Sequence, residues 1–592
     1  MKIGFLLVIV TFCSILLSCT QNEKHVKQVN PDIDPLLEKY WDERSRLYPL
    51  AATQQGDSRY NDILVNDQTK SFRDSLKNFY QSYLAEISKV NREELSDEDK
   101  LSYDIFKYEM SMQLNGLKTN QWMIPFQQFF GLPLTIGQLG SGDSYQPFKT
   151  KDDYYNWLKR IDGFAFWVDS AIANFRHGIK AGVVLPKPLV ERMIPQMESM
   201  VVSVPDSSLF FSPVTRFPKD FSDEDKGPII EAYRNAVTQK LSPSFKKLAT
   251  FLKKEYLAKA RRSTGISAVP EGKATYAYLT KYWTTTDLNP EEIHQIGLDE
   301  VKRIKTEMEE VKKEANFSGD LKAFFEYMKT DPRFMPFKTP QDVLNAFNGI
   351  HKTMEPQLRS IFGRVPKTPF EIRQTEAFRA ASASAEYVRG SADGSRPGVF
   401  YIPILDAKKF NITSGMESLF LHEAIPGHHY QISLQQENKD LPKFRRFASY
   451  GAYVEGWALY TESLGKQLGL YRDPYQYMGA LGDEMHRAIR LVVDVAMHTK
   501  GMTREQAIKY MVENEAITEE AAIAEIERYM AIPGQALSYK IGALKIWQLR
   551  NKYQKQVKNF KLSDFHDEFL KDGVMPLNIV EKKMDAWAEK NK

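Results

Sequence analysis

The chain has 592 residues, of which 42% are hydrophobic and 26% are charged, and its formal net charge at pH 7 is +4. These proportions are ordinary for a folded globular protein, and the length exceeds that of a single typical hydrophobic core. Acidic and basic residues are interspersed and form no basic stripe with interleaved aromatic residues, so no nucleic-acid partner is expected.

The N-terminal segment has the pattern of an export signal. Lys2 precedes an apolar run over residues 3–17, which is short for a membrane span. Leu16-Leu17-Ser18-Cys19 resembles a bacterial lipobox, which implies removal of residues 1–18 and lipidation of Cys19. An ordinary signal peptide with a coincidental cysteine is the alternative.

Residues 19–32 are polar and charged and predict a flexible tether. The only two cysteines are Cys13 and Cys19, so no disulfide is expected in the mature chain. The sequence therefore predicts an exported lipoprotein whose lipid anchors it to a membrane of the bacterial cell envelope, in the periplasm or at the surface.

Residues 33–592 show mostly helical periodicity and predict one mainly α catalytic domain, with two packed lobes around a central cleft and the metal site within residues 420–465. Helix starts are clearest at Ser96, at Asn289-Pro290 and at Thr503, each followed by acidic or amide residues. Residues 126–148 are rich in Gly, Pro and aromatic residues. They predict a long loop that either lines the cleft or packs under the N-terminal lobe.

Residues 399–402 predict a short β-strand between Pro397-Gly398 and Pro403. Flanking prolines suit an edge strand, because proline cannot donate to a neighbouring strand. An edge strand here could bind an extended peptide substrate, with Tyr401 as a candidate contact. A small structural hairpin is the alternative.

The sequence His422-Glu423 followed by His428 and His429 is typical of a zinc hydrolase, in which imidazoles hold the metal and a carboxylate takes a proton from water. In the helical motif H-E-x-x-H the second histidine is four residues after the first, but here that position is Pro426. Because proline lacks the N–H of a regular helix, Pro-Gly predicts a break that brings His428 back to the metal. His429 is the other candidate, although on an unbroken helix it would lie about 10 Å further along the axis.

Residues 453–462 predict a buried helix with Glu455 and Glu462 on one face. A carboxylate from a second helix completes the His₂Glu set of one class of zinc peptidase. Structural histidines are the alternative, but five of the ten histidines fall between His422 and His498, which favours a metal site.

The segments HEAIPGHHYQ, EGWALYTE, RAIRLVVDVAMH and PGQALSYKIG resemble the bacterial domain of unknown function 885 family, with its form H-E-x-x-P-G-H-x-x-Q. That family is similar to helical zinc peptidases with a Glu ligand, such as carboxypeptidase Taq, the oligopeptidases and angiotensin-converting enzyme. The resemblance covers the chain from about residue 35 onward. It implies one zinc ion held by His422, His428 and Glu455, with Glu423 as the general base.

Other roles follow as hypotheses. Tyr539 is the candidate donor to the oxyanion, because related zinc peptidases use a Tyr from a late segment, and His498 is its rival. Glu462 could orient a ligating histidine. The candidates for binding the C-terminal carboxylate of a peptide are Arg487, Arg490 and Lys540.

The function expected from these features is zinc-dependent hydrolysis of short peptides. Carboxypeptidase, dipeptidase and oligopeptidase activities remain open, as does the oligomeric state. Two alternatives share the same motifs: a non-catalytic envelope lipoprotein that binds a peptide or a partner, and a zinc hydrolase of non-peptide amides or esters.

Overall fold

The computed structural model describes residues 30–592 except 377–379, 381–383, 392–393 and 395. The predicted signal peptide, Cys19 and all but the last residues of the predicted tether lie outside the described residues. The described chain is mainly α-helical with one small sheet, so the predicted fold class is confirmed. Among the helices described, none is long and apolar enough to cross a membrane.

The first part of the described chain contains helices α1 to α14. They are α1 Asp34–Leu47, α2 Pro49–Gln54, α3 Lys70–Ile87, α4 Asp97–Gly116, α5 Leu132–Gly140, α6 Lys151–Ala181, α7 Lys187–Glu198, α8 Ser212–Thr215, α9 Asp223–Ala236, α10 Ser242–Phe251, α11 Gly272–Thr284, α12 Pro290–Glu314, α13 Leu321–Thr330 and α14 Pro340–Ile361.

The remaining helices follow the sheet. They are α15 Met416–Glu423, α16 His428–Glu437, α17 Lys443–Arg446, α18 Gly451–Glu462, α19 Pro474–Thr499, α20 Arg504–Asn514, α21 Glu519–Ala531, α22 Leu537–Gln556, α23 Leu562–Leu570 and α24 Leu577–Lys590.

Local hydrogen bonds account for the helix starts that the sequence predicts. The side chain of Ser96 accepts the backbone N–H of Asp99 at the start of α4. Asn289 and Thr503 form capping boxes at the starts of α12 and α20. Each cap satisfies a backbone donor that a free helix end would leave unpaired.

The prediction of an uninterrupted loop over residues 126–148 is wrong, because α5 lies within it. Pro133 occupies the first turn of α5, where a missing N–H costs no hydrogen bond, and Ile136 and Leu139 are fully buried. The Gly and Pro residues of this segment therefore mark the start of a helix as well as loops.

Two large hydrophobic cores organise the described residues. One is formed mainly by α5 to α10, α12, α13 and α19 to α21. The other is formed mainly by α1, α3, α4, α14, the sheet, α15 to α18 and α22 to α24. A smaller cluster of five residues from α12, α19 and α22 lies apart from both.

Within the described residues the sheet has three strands, β1 Phe370–Gln374, β2 Glu386–Val388 and β3 Gly398–Ile402, in the order β1-β3-β2. The strand predicted at residues 399–402 is confirmed, but its predicted edge position is wrong. Strand β3 is central, parallel to β1 and antiparallel to β2. Pro397 and Pro403 flank β3 instead of interrupting it, so both sides of its backbone remain able to pair.

Candidate metal centre

The helix is interrupted between α15 and α16, where the sequence predicts a break. Helix α15 ends at Glu423 and α16 begins at His428. A Cβ on Gly427 would overlap the carbonyl oxygens of Leu421 and His422, so only glycine allows the chain to return this closely to the last turn of α15. The predicted Pro-Gly interruption is therefore present.

Helix α18 contacts this break through two hydrogen bonds. The indole Nε1 of Trp457 donates to the carbonyl oxygen of Pro426 at 2.9 Å. The hydroxyl of Thr461 donates to the carbonyl oxygen of Leu421, also at 2.9 Å. Both carbonyl groups lie in or beside the break and are thereby fixed against the helix that carries Glu455 and Glu462.

Two imidazoles and a carboxylate converge at this point. The Oε2 atom of Glu455 lies 3.7 Å from Nε2 of His422 and 3.6 Å from Nε2 of His428. The two imidazole rings lie 4.8 Å apart, centroid to centroid, and are nearly perpendicular. The structure thus brings together the three residues that the resemblance implies as zinc ligands.

The orientation of His422 is set by Glu462, as the sequence suggests. Nδ1 of His422 lies 2.7 Å from Oε1 of Glu462, which leaves Nε2 facing Glu455. Burial by itself lowers the pKa of His422, but the carboxylates of Glu455 and Glu462 outweigh it and raise the pKa to about 10. For Glu455, burial favours the neutral form, yet His422 and His428 hold its pKa well below the usual range.

His429 faces away from this convergence. Its Nδ1 lies 3.0 Å from the hydroxyl of Tyr387, and its ring contacts that of Phe370 on β1. Burial, with a smaller contribution from His351, lowers the pKa of His429 to about 4. Of the two candidates for the second imidazole, His428 is the one that lies beside His422 and Glu455.

Glu423 borders the same point. His422, Glu423 and His428 each offer a ligand atom, and these atoms lie within 4.8 Å of one another. One oxygen of Glu423 accepts the backbone N–H of Tyr387 on β2 at 2.9 Å. The contribution of Tyr387 has no signal in the sequence, because it depends on the position of β2 beside α15.

The geometry suits a divalent cation with nitrogen and oxygen ligands. Separations of 3.6 and 3.7 Å are too long for hydrogen bonds. For bonds of about 2.0–2.1 Å, two ligands of a tetrahedral zinc ion lie about 3.4 Å apart. Two imidazoles with one Glu carboxylate are also the ligand set of a catalytic zinc site. The residues present therefore fit a zinc ion.

A model of the family described as "Bacterial protein of unknown function (DUF885)" matches residues 49–584. The chain belongs to the DUF885 family. No curated protein sequence matches it significantly. The resemblance noted from the motifs is thus confirmed for the family, whose function is not known.

Two solved structures are similar to this DUF885 protein over nearly its whole length. A candidate lipoprotein from Colwellia psychrerythraea has 27% sequence identity and a TM-score of 0.86, over 94% of this chain and 99% of that one. A candidate lipoprotein of unknown function from Shewanella oneidensis has 19% identity and a TM-score of 0.72, over 93% and 98% of the respective chains. The second likeness shows the shared fold alone.

Two side chains that the sequence suggested as substrate contacts bond to other residues of this DUF885 protein instead. His498 is fully buried, with Nδ1 3.0 Å from the backbone N–H of Ile266 and Nε2 3.0 Å from the carbonyl oxygen of Tyr529. It has no ring nitrogen left to donate to an oxyanion, so that hypothesis is wrong. Lys540 is also buried, between Glu300 at 2.8 Å and Glu484 at 2.6 Å, which corrects its assignment to substrate.

Tyr401, proposed as a substrate contact, lies on β3 in register with Arg373 and Glu386. It interacts with the guanidinium group of Arg373. Because β3 is the central strand, Tyr401 does not belong to an edge that could bind an extended peptide, and the proposed mode of contact is wrong.

Tyr539 lies half-buried near the start of α22, surrounded by basic side chains. The guanidinium carbons of Arg487 and Arg490 lie 5.4 and 4.6 Å from the centre of its ring. Its hydroxyl lies 3.5 Å from Nη2 of Arg528, a residue that the sequence analysis did not single out. Three of the proposed residues, Tyr539, Arg487 and Arg490, are therefore neighbours.

Proposed function

We propose that this protein is a zinc-dependent peptidase that hydrolyses short peptides. The observation that supports it most is the meeting of Glu455 Oε2 with the Nε2 atoms of His422 and His428, at separations too long for hydrogen bonds, directly beside Glu423. A half-buried carboxylate facing two imidazoles without bonding to either is the arrangement expected of residues that share a cation.

His422, His428 and Glu455 would hold the ion, and Glu462 would keep His422 in the tautomer that presents Nε2. Zinc would supply Lewis-acid polarisation of the substrate carbonyl and would lower the pKa of water from 15.7 toward about 7. This combination suits the hydrolysis of an amide, whose carbonyl is a poor electrophile and whose amine is a poor leaving group.

Glu423 would act as the general base. The N–H of Tyr387 holds one of its oxygens, which fixes the carboxylate plane and leaves the second oxygen available. That oxygen would accept the proton of the attacking water and pass it to the nitrogen of the leaving amine. Peptide-bond cleavage then consumes one water and yields a carboxylate and an amine.

Tyr539 would donate its hydroxyl proton in a hydrogen bond to the negative oxygen that develops on the substrate carbonyl. Arg487, Arg490 and Arg528 surround its ring and hydroxyl, and their positive charges favour negative charge at this position. A donor of this kind typically contributes about 10²–10³-fold to the catalytic rate.

The predicted lipobox at Cys19 would anchor the enzyme to a membrane of the cell envelope through lipid. Both similar solved structures are described as candidate lipoproteins, which supports a location in the cell envelope for this chain. Short peptides in the envelope are the substrates that such an enzyme would meet.

The test compares wild-type protein with Glu423→Gln. We expect both to bind one zinc ion per chain, measured by elemental analysis, and the variant to hydrolyse a library of short peptides about 10²–10⁴-fold more slowly, measured by mass spectrometry. Glu505→Gln, at an exposed position on α20, is the matched control and should keep the wild-type rate.

Each contrary outcome points to a different conclusion. Undiminished turnover by Glu423→Gln would exclude Glu423 as the base. Wild-type protein that binds zinc but cleaves esters and no peptide would be a non-peptide hydrolase. Protein that binds no zinc at neutral pH would be a non-catalytic lipoprotein.

A further inference from the structure

A cluster of arginines surrounds the ring of Tyr539. Arg487 and Arg490 are contributed by α19 and Arg528 by α21, so two separate helices bring positive charge to the same aromatic ring. The distances to Tyr539 are 5.4 and 4.6 Å for the first two guanidinium carbons, and Arg528 contacts the hydroxyl.

Two of these guanidinium groups have hydrogen-bond donors without acceptors in the described part of the chain. Arg490 is only 4% exposed and bonds to Tyr529 and Glu525, but its Nη1 is buried and unpaired. Arg487 is half-buried and its Nε is also buried and unpaired. Among the described residues, no hydrogen bond or ion pair of Arg487 is found; it stacks on Tyr539.

Unpaired charged donors in a protein interior are costly, and native structures normally satisfy them with protein, water or a ligand. One carboxylate, Glu525, bonds to Arg490 and Arg528. Asp483 interacts with Arg487 electrostatically, without a hydrogen bond to it, and accepts a hydrogen bond from the hydroxyl of Ser418. The cluster therefore has unused guanidinium donors, which favour a ligand that carries acceptor oxygens, such as a carboxylate.

The register of two helices places Arg487 near the candidate metal centre. Helices α15 and α19 run in the same direction: Gly479 packs against Gly415, and one turn later Asp483 accepts the hydroxyl hydrogen of Ser418 at 2.5 Å. Continued for one more turn, this register would bring Arg487 alongside the end of α15, where His422 and Glu423 lie. Asp483 interacts electrostatically with both Arg487 and Glu462, so it links the arginine cluster to the side chain that contacts His422.

We propose that Arg487, together with the unpaired Nη1 of Arg490, binds the C-terminal carboxylate of the peptide substrate. A guanidinium group presents parallel N–H donors that match the two oxygens of a carboxylate. Tyr539 holds both arginines by stacking and keeps its hydroxyl for the substrate carbonyl. The inference rests on the proposed peptidase function and makes the enzyme one that acts near the C-terminal end of a peptide.

The experiment compares a library of tri- and tetrapeptides with free C-terminal carboxylates with the same library amidated. Binding is measured by ultrafiltration and mass spectrometry on full-length Glu423→Gln protein, and hydrolysis on protein with Glu423 intact. We expect the free-acid library to bind and react about 10- to 100-fold better, the range for a hydrogen bond to a charged group. Arg487→Gln should abolish this preference, and Arg487→Lys should retain part of it.

Arg333→Gln is the matched control. Arg333 also stacks on aromatic rings, including Tyr475 at 4.5 Å. Tyr475 lies twelve residues before Arg487 on α19, about 18 Å along the helix axis. The control variant should keep the wild-type preference for free acids. Melting curves of all variants identify any that fail to fold. If Arg487→Gln does not fold, Arg487→Lys is compared with the wild type in its place.

Different experimental results would refute the proposed carboxylate subsite and the proposed peptidase function. Equal hydrolysis of acid and amidated peptides, or an unchanged preference in Arg487→Gln, would overturn the subsite and leave the peptidase standing. An Arg487-dependent preference in binding without any hydrolysis would support the subsite and refute the peptidase. Failure of both libraries to bind would overturn the subsite.

Discussion

Gly427→Ala tests whether the close backbone approach in the break between α15 and α16 builds the metal centre. The added Cβ would lie 2.5 Å from the carbonyl carbon of His422, and closer still to the carbonyl oxygens of Leu421 and His422. Observed Cβ contacts essentially never fall below 3.0 Å, so the backbone must move by at least about 0.5 Å beside His428, the next residue.

A shift of that size is large for a metal site. Bond lengths in zinc sites keep to within about 0.2 Å of their usual values, so His428 would be displaced by more than twice this tolerance. Disturbing the support of a ligand typically costs 10–100-fold in metal affinity, and displacing a ligand costs at least as much. We therefore expect zinc affinity to fall by at least about 100-fold.

The assay is competition between the protein and a chromophoric zinc chelator, with circular dichroism to verify that the variant is folded. Gly349→Ala is the control, because Gly349 lies on α14 and a Cβ there would meet no atom within 4 Å. It should bind zinc as the wild type does. Wild-type zinc affinity in a folded Gly427→Ala variant would refute the reasoning that the close approach at Gly427 positions His428.

Two further predictions concern the surroundings of the site. Glu462→Gln should lower zinc affinity by about 10–100-fold, because a neutral amide no longer raises the basicity of His422; an unchanged dissociation constant would contradict this. His498 has its pKa lowered by burial to about 3. Since the unfolded chain binds a proton near pH 6.5 and the folded chain does not, this histidine's contribution to stability is complete above pH 6.5 and is lost as the pH falls. Wild type should thus lose about 2 kcal/mol more unfolding free energy than His498→Gln between pH 7 and 5, measured by urea denaturation, and equal losses would contradict the assignment.

Features that depend on neighbours in sequence were predictable. The caps at Ser96, Asn289 and Thr503 use partners three residues away, so their patterns are visible in the sequence. The interruption at Pro426-Gly427 was equally visible, because the proline is incompatible with a regular helix interior. Both kinds of inference rest on backbone chemistry within one or two turns.

Features that depend on partners far along the chain were not predictable from the sequence. His498 resembled a donor to the substrate until the fold placed Ile266 and Tyr529 against its two nitrogens. Lys540 could not be assigned to Glu300 and Glu484 without the packing of α12 and α19 around it. The sequence shows which hydrogen-bonding and charged groups a side chain carries. It does not show which of these groups will be paired with other residues in the fold.

The position of strand β3 in the sheet was also not predictable from the local sequence. Its prolines were consistent with an edge, but the number of partners a strand has is decided by segments far along the chain, here β1 and β2. The sequence contains no local signal for the parallel pairing with β1, which requires a crossover connection.

The parallel course of α15 and α19 has a consequence for which bond would be cut. One rigid helix carries His422 and Glu423, its neighbour carries Arg487, and the two are locked together through Gly415, Gly479 and the bond from Ser418 to Asp483. With the C-terminal carboxylate of an extended peptide bound at Arg487, each residue of that peptide would span about 3.3 Å toward His422 and Glu423. The point of scission would then be counted from the peptide's terminus, whatever side chains the peptide carries.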